Sequence, residues 1–133
     1  MSEIIKYSLN VQVVGGPTVP IIDKVEPEAY EKIQITVSTG AADKEMNLQP
    51  GGNNLAEFLL IKSSSYKDAD PLHTLTYKVN NTGATSITLD GPHIFIGKGA
   101  VGILDAAPTK LFFTNSLTSD VTIDILIGRD ATP

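Results

Sequence analysis

The C-terminal stretch Val121-Thr122-Ile123-Asp124-Ile125-Leu126-Ile127-Gly128 decides the fold. Val121, Ile123, Ile125 and Ile127 are apolar, with Thr122 and Asp124 between them. A period of two sends successive side chains to opposite faces, so this is a strand with one buried face. The same alternation recurs upstream. Ile5, Tyr7, Leu9, Val11 and Val13 are interleaved with Lys6, Ser8, Asn10 and Gln12. Ile33, Ile35 and Val37 are interleaved with Gln34, Thr36 and Ser38, and Leu75, Tyr77 and Val79 with Thr74, Thr76 and Lys78. Met46 and Leu48 repeat the pattern briefly before Pro50-Gly51-Gly52.

Turn chemistry separates these runs. Ser38-Thr39-Gly40, Asn80-Asn81-Thr82-Gly83, Asp90-Gly91-Pro92 and Asn115–Asp120 supply the positive φ angles and local hydrogen bonds of tight turns. The spacing predicts an all-β fold: an antiparallel, jelly-roll-like β-sandwich of about 8–10 short strands. Glu26–Lys32, with Pro27 near its start, could form one helical turn at most. The 133 residues read as one domain, 1–133. Segments 1–6 and 15–28 read as extended arms or a crossover. Gly15–Glu28 holds Pro17, Pro20 and Pro27 and is expected to cross from one sheet to the other.

Several strands are apolar on both faces: Phe58-Leu59-Leu60-Ile61, Ile94-Phe95-Ile96, Leu111-Phe112-Phe113 and Ile125-Leu126-Ile127. In a two-layer sandwich one face of each strand looks outward. Burying a Leu or Phe is worth ~1.5–3 kcal/mol, so those outward faces need a cover. Either a crossing loop of the same chain or another subunit provides it.

Composition narrows the function. The apolar fraction of 41% is enough for a core, and the net charge is −5 with a single arginine, Arg129. A duplex-binding protein needs a basic face to displace counterions, and none is visible, so no nucleic-acid partner is expected. The acidity also disfavours anionic membranes, and no run approaches the ~18 apolar residues of a membrane span. The chain has no cysteine, which excludes disulfides and thiolate zinc sites. Met1–Lys6 lacks the pattern of a secretion signal, so folding in a cytoplasm is expected.

The chemical motifs lack their contexts. Gly97-Lys98-Gly99-Ala100-Val101-Gly102 matches G-x-G-x-x-G. A dinucleotide site needs a helix after the third glycine and then a parallel strand. Pro108 follows too soon, so the glycines are expected to kink the chain between two strands, with no helix after Gly102 and with Lys98 facing solvent or a partner. Ser64-Ser65-Tyr66-Lys67 matches S-x-x-K but lies in a polar loop without partner motifs. His73 and His93, and Asp68-Ala69-Asp70, read as loop and strand-start chemistry rather than metal ligands. Asn80-Asn81-Thr82 reads as a hairpin turn rather than a glycosylation site. No catalytic, cofactor or metal residues are assigned. Tyr30 and Tyr66 are the aromatics that could stack a sugar.

Leu89-Asp90-Gly91-Pro92-His93-Ile94-Phe95-Ile96-Gly97, Lys110–Asn115 and Val121–Ala131, with the Gly128-Arg129-Asp130 end, resemble the second half of small β-rich virion proteins of tailed bacteriophages. The capsid decoration, or cement, proteins are the nearest group, and the resemblance covers about residues 55–131. It implies a non-enzymatic sandwich, commonly trimeric, that sits on the capsid surface and bridges subunits of the major capsid protein. Met1–Lys6 and Gly15–Glu28 would be its capsid-contacting arms. Phe58, Leu60, Phe95, Phe112, Leu126, Ile4, Val19 and Ile21 are the candidate oligomer or capsid interface. The alternative is a receptor- or glycan-binding module of a phage tail or fibre.

Overall fold

The computed structural model describes residues 3–48 and 55–130. The turn expected at Pro50-Gly51-Gly52, residues 1–2 and Ala131 lie outside the described residues. Eight strands form the sandwich: β3 (Ala29–Val37), β4 (Lys44–Asn47), β5 (Ala56–Ser63), β6 (Leu75–Val79), β7 (Ile87–Thr88), β8 (His93–Ile96), β9 (Lys110–Asn115) and β10 (Val121–Arg129). Ahead of them, β1 (Ile5–Gln12) and β2 (Thr18–Val25) pair with each other as a separate two-stranded ribbon.

The pairing is that of a jelly roll. The chain runs out through β3, β4, β5 and β6 and returns through β7, β8, β9 and β10. Outgoing and returning strands pair antiparallel as β3/β10, β4/β9, β5/β8 and β6/β7. This long double ribbon then wraps, and β10/β5 and β9/β6 complete two four-stranded sheets. Their orders are β3-β10-β5-β8 and β4-β9-β6-β7. The all-β, antiparallel, jelly-roll-like reading of the sequence therefore holds.

The core is the product of the two alternations. Val37, Leu59, Ile61, Val121, Ile123, Ile125 and Ile127 point inward from the first sheet and are buried. Met46, Leu75, Tyr77, Val79, Leu111 and Phe113 meet them from the second. Tyr77 and Phe113 pack with ring centroids 5.9 Å apart. Among the described residues the buried polar side chains are Ser63 and Asn115, and Asn115 is fully buried. Its Nδ2 donates to the carbonyls of Val37 and Ser119, each at 3.0 Å, and its Oδ1 accepts from Leu117 N–H at 2.9 Å. A buried amide is tolerable here because the turn 116–120 uses both of its ends.

Three local expectations are corrected. Gly15–Glu28 does not cross between sheets, because Thr18–Val25 returns along β1, from Gln12 opposite Thr18 to Ile5 opposite Val25. Gly15, at φ 77°, turns the chain, and Val13 N–H donates to the Pro17 carbonyl at 2.9 Å. By the alternation of an antiparallel ladder, Pro20 opposite Asn10 then falls at a non-hydrogen-bonded pair. Its missing N–H belongs to the free edge, which is where a strand tolerates proline. Glu26–Lys32 forms no helical turn; it leads straight into β3.

The third correction is at Gly97–Gly102. Lys98–Val101 forms one turn of helix, α1, rather than a simple kink. Gly97, at φ 97°, swings the chain off β8, and Val101 N–H closes the turn on the Gly97 carbonyl at 3.1 Å. Val101 is buried and plugs the end of the core, which favours the turn over an open kink. Lys98 is exposed, as expected, and its Nζ lies 2.8 Å from Asp130 Oδ2 of the same chain.

Candidate assembly surface

The β1–β2 ribbon is an arm with an apolar face. In its register Leu9 lies opposite Ile21 and Val11 opposite Val19, all four on one side of the ribbon. These four remain 41–56% exposed, and Val13 continues the stripe at 57%. Covering what is still exposed would contribute about 1 kcal/mol per side chain. A two-stranded ribbon with no third strand is marginal in water, and this face is its exposed apolar surface. Its edges are less inviting. Pro20 removes a donor from the β2 edge, and Lys6 lies opposite Lys24 near the root. Prolines and charges of this kind oppose strand addition.

The root of the arm sits on the sandwich. Ile5 and Pro27 lie against Gly128, where an added Cβ would meet Ile5 Cδ1 at 2.7 Å and Pro27 Cγ at 3.0 Å. Tyr7 stacks on Phe58 with centroids 6.4 Å apart. The outer face of β3-β10-β5-β8 is thus covered at one end by the chain's own arm root. The covering segment is a hairpin root rather than a crossing loop. Beyond it the face stays open. Leu126 pairs with Leu60, and Leu60 with Ile94, across three strands. Leu60 and Leu126 are half-buried, while Ile94 and Tyr30 are exposed. Ile4 and Tyr30 line a shallow hollow with Leu126 at the margin of this patch.

The eight interface candidates divide accordingly. Leu60, Leu126, Ile4, Val19 and Ile21 lie on the open sheet face, its margin or the arm. Phe58 is buried beneath Tyr7. Phe95 is opposite Leu59 and faces inward against the core. Phe112 is buried between cross-strand neighbours Glu45 and Lys78 on the second sheet. Leu9 and Val11, exposed on the same face of the arm as Val19 and Ile21, were not among the candidates. Their alternation signalled a strand, and nothing local said that the strand leaves the sandwich.

The remaining polar clusters are occupied by the fold. Asp68 Oδ1 accepts from Asp70 N–H at 2.8 Å, and its Oδ2 accepts from Thr118 N–H at 3.0 Å and meets His73 Nδ1 at 2.9 Å. Burial alone would push the Asp68 carboxyl up, but the hydrogen bonds from Asp70, His73 and Thr118 outweigh it and hold it below its ordinary value. The hydrogen bond to Asp68 raises His73 in turn. Asp70 Oδ1 accepts from Leu72 N–H at 2.9 Å, so both carboxylates brace the loop. His93 is held elsewhere, 2.8 Å from the Tyr77 hydroxyl, whose proton burial makes hard to remove. Among the described residues no group of three His, Asp or Glu side chains is arranged to hold a metal ion. No helix among them is long and apolar enough to cross a membrane.

The nucleotide motif fares no better. Helix α1 ends after four residues, and β9 beyond it joins antiparallel neighbours. A phosphate cradle with a parallel βαβ unit is not formed. Ser64 is likewise engaged: its Oγ accepts from Thr122 N–H at 2.9 Å, extending the β5/β10 contact. Tyr30 lies opposite Gly128, whereas Tyr66 accepts from Ser63 N–H, and Ser63 lies opposite Ile123. The strand rise puts those two β10 positions about 17 Å apart, so the tyrosines do not share one stacking platform. No protein family, characterised protein or solved structure matches the chain.

Proposed function

We propose that this is a non-enzymatic structural protein of a virion, which decorates a phage capsid and stabilises it by bridging capsid subunits. The observation that carries the reading is the arm: an apolar ribbon held out from a sandwich whose polar clusters are spent on bracing loops. The resemblance of residues 55–131 to cement proteins supports it, and jelly rolls are a common architecture of viral shells. Its partners are then the major capsid protein and other copies of itself, and its place is the capsid surface after assembly in the host cytoplasm. Linked copies multiply weak contacts, because each bound copy raises the effective concentration of the next. Cross-links between capsid subunits then oppose the pressure of packaged DNA.

The test is binding to purified phage heads. Saturable, stoichiometric binding is expected, together with heads that survive higher temperature when decorated. Removing residues 5–25 should weaken binding by ~100-fold or more through lost avidity. Absence of binding to mature heads of the cognate phage would overturn the proposal.

A further inference from the structure

We propose that the apolar face of the arm docks on a second copy of this chain, over the open outer face of its β3-β10-β5-β8 sheet. Leu9, Val11, Val19 and Ile21 would lie on Leu60, Leu126 and Ile94 of the neighbour. The inference rests on reading the arm as an assembly device and names its partner.

Three observations select a second copy. The first is area. The chain exposes 7602 Å², against about 6,700 Å² expected of a compact monomer of its 14.1 kDa mass. The excess, about 900 Å², is close to the ~800 Å² that each partner contributes to a standard interface. The second is continuity. The root of the arm already packs on this sheet face through Ile5, Pro27 and Tyr7. The uncovered remainder begins where that contact ends, at Leu126 and Leu60, one pair beyond Gly128 and Phe58 along the same face. The arm cannot also cover that remainder in its own chain, because from Leu9 to Pro20 every residue stands exposed.

The third observation is that one chain carries both halves of the contact. The arm stripe has no charged residue from Leu9 to Val13 or from Thr18 to Ile22. The Leu126–Leu60–Ile94 row carries no charge on β10, β5 and β8, and Lys32 flanks it on β3. Joining them between copies buries both apolar faces without a third partner. Each copy gives one arm and receives one, so every copy is satisfied in a two-fold exchange or in a closed ring. This also fits the prolines and charges along the ribbon, which favour docking by face over strand addition.

The chain has no cysteine, so introduced thiols report unambiguously. Val11→Cys and Leu60→Cys are placed on separately tagged full-length chains, which are mixed and oxidised. A disulfide needs Cα atoms within about 7 Å, so only a seated arm can form it. The expected result is a mixed disulfide between the two tags, with native mass spectrometry of the untagged protein giving a multiple of 14.1 kDa. Disulfides joining Val11→Cys chains to each other would mean that arms pack on arms, and would overturn the inference. A 14.1 kDa species at high concentration, with no cross-link, would do the same. Ile21→Asp on the arm and Ile94→Asp on the receiving face should each give folded monomers with unchanged strand circular dichroism. A folded oligomer surviving both substitutions would overturn the proposed contact. A monomer that still decorates heads refutes this inference alone, while an arm-exchanged oligomer that ignores heads refutes the decoration proposal alone.

Discussion

Gly128→Ala puts a methyl group where the arm root is seated. The new Cβ would stand 2.7 Å from Ile5 Cδ1 and 3.0 Å from Pro27 Cγ, well inside the ~3.5–4.0 Å of ordinary carbon contact. The Ile5 tip can rotate away, but the Pro27 ring is rigid and buried. Overpacking of this kind costs ~1–3 kcal/mol, and the loss of glycine's unfolded-state freedom returns ~0.5–1 kcal/mol. The net expectation is about 1 kcal/mol of destabilisation. At ~2.1 cal/mol/K per residue of unfolding entropy, that lowers Tm by ~3–4 °C. The assay is thermal unfolding at one fixed protein concentration, because oligomer formation also moves Tm. A cycle with Ile5→Ala sharpens it. Removing the Ile5 tip should cost less in the Gly128→Ala background than in the wild type, by at least ~0.5 kcal/mol. A Gly128→Ala protein as stable as wild type, or a cycle with no coupling, would refute the seating of the arm root on β10.

Two further outcomes follow from polar groups that the fold engages. Asn115→Ala strands the Val37 and Ser119 carbonyls and the Leu117 N–H, and should cost ~2–4 kcal/mol, read as a fall in denaturation midpoint with unchanged slope. The His73–Asp68 pair gives stability a pH window. His73 is raised, so its contribution is full below its ordinary 6.5 and lost as pH rises through its folded value. Asp68 is lowered, so its contribution holds above its ordinary 3.8 and is lost as pH falls through its folded value. The Tm gap between wild type and His73→Gln should therefore be widest between those limits and close above the His73 titration. A gap independent of pH would show that the ion pair is not its source.

Much of the sandwich was legible because alternation is a local property with a global consequence. Val121–Ile127, Leu75–Val79 and Ile33–Val37 each fold as their period predicts, since one face of each finds the common core. Ile5–Val13 has the same period but a different fate. Alternation predicts a strand and says nothing about which surface covers its face. The return strand was obscured by Pro17 and Pro20, which suggest irregular chain. Its signals were Gly15-Gly16 between two runs of Val and Ile, a hairpin turn, and the fact that both strands of a lone ribbon are edges. Gly128 was legible only in part. A glycine in a strand marks close approach of another backbone or side chain, but its visitors, Ile5 and Pro27, lie at the far end of the sequence. Residues apolar on both faces pointed to a covered outer sheet; Phe58 is covered by Tyr7 of its own chain, while Leu60 and Leu126 are half-buried on a face that the chain leaves open. It misled at Phe95, which faces inward, whereas Phe112, like Phe58, is buried within its own chain and so is not open to a partner.

Amide hydrogen exchange along residues 5–25, followed as protein concentration is raised, tests most directly whether the arm is an assembly device. A lone ribbon opens freely, so its ladder amides exchange fast in a monomer. The account predicts protection of Leu9–Gln12 and Thr18–Ile22 that grows with concentration, alongside a sandwich whose protection does not change. Fast exchange in the arm at every concentration would contradict it.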